Sequence, residues 1–139
     1  MLARRRWRGI GVALLGVAFI GAGLNHFVHP DIYVSIMPPY LPWHLELVLI
    51  SGAFEVLGGV GVWIQRTRRI AGWGLFALVI AVFPANVHMA LHPEQFAFIP
   101  EWALYARLPF QFVFLAWVYA CACSPYATPD DAPGVVCED

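Results

Sequence analysis

Residues 45–91 read LELVLISGAFEVLGGVGVWIQRTRRIAGWGLFALVIAVFPANVHMAL, and this stretch decides the fold. Two apolar runs, 45–64 and 70–91, flank the polar segment Gln65-Arg66-Thr67-Arg68-Arg69. A helix needs about 20 apolar residues to cross a hydrocarbon core about 30 Å thick. Both runs meet that length and exceed any ordinary strand. Open strand edges would leave backbone groups unpaired in lipid, so helices are the reading. The short basic turn closes a helical hairpin.

Two further runs lie outside it, residues 9–27 and residues 107–123. Arg4, Arg5, Arg6 and Arg8 precede the first. That run is longer than a signal-peptide core and lacks a small-x-small cleavage site before a soluble domain, so it reads as a span. The composition agrees: 60% of the 139 residues are hydrophobic and 12% are charged. A soluble domain this small cannot bury so much apolar surface. No basic stripe marks a nucleic-acid partner. The lipid bilayer is the expected surrounding.

All eight basic residues besides histidine are arginines, and seven of them lie before the first run or in the 65–69 turn. With four spans these two segments share one side, and basic residues stay cytoplasmic. The expectation is an all-α, integral membrane, four-helix up-down-up-down bundle with both termini cytoplasmic. It would be a multi-pass protein of a bacterial inner membrane. Helices are expected at about 9–27, 45–64, 70–91 and 107–123, forming one domain over residues 1–123. Residues 124–139 hold three prolines and four acids and read as a disordered cytoplasmic tail. The outer connections, about 28–44 and 92–106, carry prolines and aromatics and should lie on the membrane interface. Ser51, Glu55 and Gly59 share one helix face, and Ala77, Ala81 and Ala85 share another, both suited to close packing.

Polar groups crowd the outer half. His26, His29, His44, His88 and His92 all fall there, with Asn25, Glu46, Asn86, Arg107 and Gln111. Glu55 is the deepest, about 15 Å along its helix. An acid at that depth costs at least ~2.5 kcal/mol and should face the bundle interior. It is either a proton-handling or ligand-binding acid, or a group that only ties helices together. Arg107 and Gln111 lie one turn apart on one face. Arg107 could pair with Glu46 or an anionic ligand, or snorkel to headgroups. Pro109 would sit in the first turns of its helix, where a missing N–H is cheap. Asn86 and His88 are about 200° apart on an ideal helix, so both face inward only if Pro84 distorts the turn. His26 is the better interior histidine. Cys121, Cys123 and Cys137 have no metal-binding spacing, and no metal site is expected. A bis-histidine haem on His26 and His88 is allowed by depth alone and is not favoured.

Several segments resemble the DoxX-like family of small bacterial membrane proteins. They are His26-Phe-Val-His-Pro30-Asp-Ile-Tyr33, Met37-Pro-Pro-Tyr-Leu-Pro42, Ser51-Gly-Ala-Phe-Glu55-Val-Leu-Gly-Gly59, Thr67-Arg-Arg69, Phe83-Pro-Ala-Asn86-Val-His-Met89-Ala and Arg107-Leu-Pro-Phe-Gln111. They cover roughly residues 16–117 in the manner of motif hypotheses. The resemblance implies a four-helix bundle whose relatives are linked to quinone-dependent redox and oxidative-stress assemblies. By matching position, His26, Glu55, Asn86, Arg107 and Gln111 form the candidate ligand-binding set; His88 and His92 do not belong to it. Three roles follow. The first is an accessory subunit of a membrane redox assembly with quinone as its cofactor and redox proteins as partners. The second is a small-molecule binding or transport protein using an outer site around Glu55. The third is a scaffold with no ligand. A stand-alone enzyme is not expected, and no catalytic residue stands out.

Overall fold

The computed structural model describes residues 2–124, with side chains from Trp7 onward. The expected tail, apart from Ser124, and Cys137 lie outside the described residues. The described chain is helical, and it has no strand. Helix α1 spans Leu2–Val28, α2 Pro30–Ser35, α3 His44–Trp63, α4 Arg68–Ala81, α5 Phe83–Leu91 and α6 Glu101–Val118. A 3-10 turn, Pro93–Phe96, precedes α6, and a π-helical turn, Tyr119–Cys123, continues it. Four helical stretches are long and apolar enough to cross a membrane: Trp7–Val28, His44–Trp63, Arg68–Leu91 and Glu101–Cys123.

Glycine sets the closest packing. A Cβ on Gly23 would stand 2.5 Å from the carbonyl oxygen of Gly52, and one on Gly59 would stand 2.9 Å from that of Gly16. The pairs run in opposite order along α1 and α3, so each helix carries its contact glycines at the same seven-residue spacing. Small residues let backbones meet where lipid gives no hydrophobic drive to association. The expected face of Ser51, Glu55 and Gly59 is turned toward the bundle, and Gly59 is buried. The alanine face is not. Ala77 and Ala81 are exposed, while Gly72, Leu75 and Val79 make the inner face of α4. Leu75 fits over Gly58, and Ala122 fits over Gly72, so the larger and smaller side chains alternate there.

The core has two parts. One lies toward the arginine-bearing end and contains Val12, Leu15, Phe19, Val62, Leu75 and Val118. The other gathers Met89, Phe96 and Leu104. Phe96 comes from the 92–106 connection, so this segment folds into the core instead of only lying on an interface. Arg8 closes the first end, donating from Nε to the Cys121 carbonyl at 3.2 Å and from Nη2 to that of Ser124 at 3.0 Å.

Two boundaries differ from the hydropathy reading. The last helix begins at Glu101, not near 107, because Pro100 caps it and polar residues are tolerated where a helix emerges from lipid. Pro109 is therefore interior to α6, not in its first turns. The third run is broken at Val82, since Pro84 has no N–H to return to the Ile80 carbonyl. At the start of α3, Trp43 adopts φ 54°, a left-handed conformation, and is 74% exposed.

Candidate functional site

The five candidate residues fall into separate groupings on different helices. The first joins α1 and α3. His26 is buried near the end of α1, held against α3 by the Gly23–Gly52 crossing, where a Cβ on Gly52 would stand 2.7 Å from the His26 Cβ. Its Nδ1 lies 2.9 Å from the Ala22 carbonyl oxygen and 3.4 Å from Oε2 of Glu55. A carbonyl only accepts, so Nδ1 carries the hydrogen and donates it to Ala22. Glu55 Oε2 is then left beside a donor that is already used. This oxygen is buried and has no hydrogen-bond partner among the described residues. Buried polar atoms are nearly always satisfied, so this exception marks a place where a proton or a donor group belongs.

Tyr33 covers the His26 ring. Its ring stacks on the His26 imidazole at a centroid distance of 3.7 Å and an interplanar angle of 22°. Its hydroxyl accepts a 2.7 Å hydrogen bond from Asn25 Nδ2. Pro30 at the first turn of α2 starts this short helix, because its missing N–H and fixed φ suit that position. Helix α2 then brings Tyr33 back over α1. Sequence reasoning placed Tyr33 only in an interfacial connection; the helix-starting proline three residues earlier was the available signal.

The second grouping joins α4, α5 and α6. Asn86 Nδ2 donates to Oε1 of Gln111 at 2.6 Å. Gln111 Nε2 donates in turn to the Val79 carbonyl, close to the break at Val82. Each end of the buried Gln111 amide is thereby engaged, and the arrangement braces a helix interrupted by proline. Arg107 is exposed and directs Nη1 toward Met89 Sδ at 3.5 Å; Glu46 is exposed on α3. His88 packs its ring against His92 at 4.5 Å and edge-on to Phe96. Among the described residues no group of three or more metal-ligating side chains converges.

The chain is thus a helical protein with four membrane-capable helices and a histidine–carboxylate pair inside its packing. Residues 15–122 match the family described as Domain of unknown function (DUF8561), and the chain belongs to that family. No curated protein and no solved structure matches it.

Proposed function

We propose that this is a multi-pass membrane protein whose His26–Glu55 pair binds a proton or the donor group of a small, weakly acidic molecule entering from the outer side. In this reading the four helices run up-down-up-down, with both termini in the cytoplasm of a bacterium. The opposite order of the α1–α3 glycine pairs supports the alternation. The arginines before α1 and at residues 66–69 support the sidedness.

One observation carries the site: among the described residues Glu55 Oε2 is buried without a hydrogen-bond partner, 3.4 Å from the His26 imidazole. An isolated carboxylate in lipid is costly. A proton, or a ligand hydroxyl donating to Oε2, removes that cost. Tyr33 stands over His26 as the group an entering molecule would meet.

The resemblance to DoxX-like proteins suggests one such ligand. A quinol offers a hydroxyl donor on an apolar ring, as the accessory-subunit role in a quinone-linked assembly requires. Infrared spectroscopy of the purified protein, with extraction of co-purifying quinones and lipids, tests both readings. A carboxyl band that changes with pH and disappears in Glu55→Gln supports the proton site. Quinone retained by the native protein and lost in Glu55→Gln supports the redox role. If neither signal depends on Glu55, the scaffold role stands.

A further inference from the structure

Helices α3 and α4 leave between them, on an exposed flank away from the His26–Glu55 pair, an apolar groove of about 740 Å³. Its floor is made of small residues such as Gly61 and Gly74, and its rims by Phe54, Leu57 and Ile70, which project outward. Along α4 it runs from Ile70 to Ala81, about 16 Å at 1.5 Å per residue. That is close to half of a hydrocarbon core about 30 Å thick. The groove is therefore one leaflet deep.

One end of the groove is charged. Ile64, Thr67 and Ile70 line it there, and the same turn carries Arg66 and Arg69, both exposed. Arg68 is used differently: its Nε donates to the Val62 carbonyl at 2.7 Å and so caps α3. No acidic residue occurs in the segment 64–70. Arg66 lies between the lining residues Ile64 and Thr67 at this end of the groove, whereas Arg69 is about 140° around α4 from the lining residue Gly74 and faces away from it.

We propose that this groove holds one acyl chain of an anionic phospholipid, with its phosphate at Arg66. Basic pockets between helices recognise anionic headgroups in this way. A second copy of the chain fits less well, because a partner helix would need a contact face through both leaflets, and this groove stops halfway.

Native mass spectrometry of the full chain released from vesicles of phosphatidylglycerol or phosphatidylcholine with the same acyl chains tests the proposal. One basic residue at a charged surface is worth about fivefold in binding, so Arg66 gives a preference of about fivefold for phosphatidylglycerol. Arg66→Gln should therefore abolish that preference. Ala77→Trp fills the groove from an exposed position, and should remove the bound lipid while leaving helix content unchanged. Equal retention of the two lipids overturns the proposal, as does retention that survives both substitutions. A dimer that Ala77→Trp dissociates also overturns it, and assigns the groove to a second copy.

Discussion

Gly23 and Gly52 meet so closely that the carbonyl oxygen of Gly52 occupies the space a side chain on Gly23 would need. This contact sets the height of His26 against α3, because a Cβ on Gly52 would strike the His26 Cβ. The position of His26 relative to Glu55 is thus governed by residues with no side chain.

Gly23→Ala should therefore destabilise the protein by about 1–3 kcal/mol, the usual cost of overpacking a tight site. Alanine's better helix propensity, worth up to about 1 kcal/mol, does not offset this, because the opposing atom is backbone and cannot swing away. Gly21→Ala is the control, with nothing within 4 Å of its added Cβ. Thermal unfolding in detergent should show a loss for the first and none for the second.

Gln111→Leu should cost about 1–2 kcal/mol, since it strands the Asn86 amide and removes the side-chain donor to Val79. Because the Val79 contact lies near the break between α4 and α5, local amide exchange over residues 79–86 should rise more than exchange in α1. Uniform exchange through all helices would contradict the bracing role.

Tyr33→Phe keeps the ring on His26 but removes the acceptor for Asn25, so it should cost at most about 1.5 kcal/mol. Tyr33→Ala removes the roof as well. It should open His26 to diethylpyrocarbonate, measured by peptide mass spectrometry, whereas Tyr33→Phe should not. Equal labelling in the two variants would deny Tyr33 a covering role.

Glu55→Gln should leave stability unchanged or raise it, because a neutral amide is cheaper to hold in lipid than a carboxylate. Glu55→Leu should behave similarly in detergent unfolding if the acid is kept for binding. A loss above about 2 kcal/mol in both variants would show that the carboxyl mainly joins helices.

The four membrane-capable helices were legible in the sequence because each is written as a long apolar run. Glu55 stood out as well, since an acid in the middle of a long apolar run is rare and costly in lipid. The partners were not legible. Asn86 and Gln111 are 25 residues apart on separate helices, and only packing makes them one hydrogen-bonded unit. Ala77 and Ala81 misled for the same reason: spacing defines a face but not what covers it. The start of α6 was set too late because hydropathy discounts Glu101 and Arg107, although a helix continues readily through the interface.

Trp43 carries a consequence of another kind. Its left-handed backbone costs roughly 1–2 kcal/mol, while its exposed indole suits the boundary between lipid and water. Trp43→Gly relieves the first and forfeits the second. The sign of its effect should therefore reverse with the surroundings, stabilising in a detergent micelle and weakening the protein in a bilayer. A melting curve in detergent therefore reads the backbone cost at Trp43 without the interfacial gain, and the difference between the two surroundings isolates what the indole contributes.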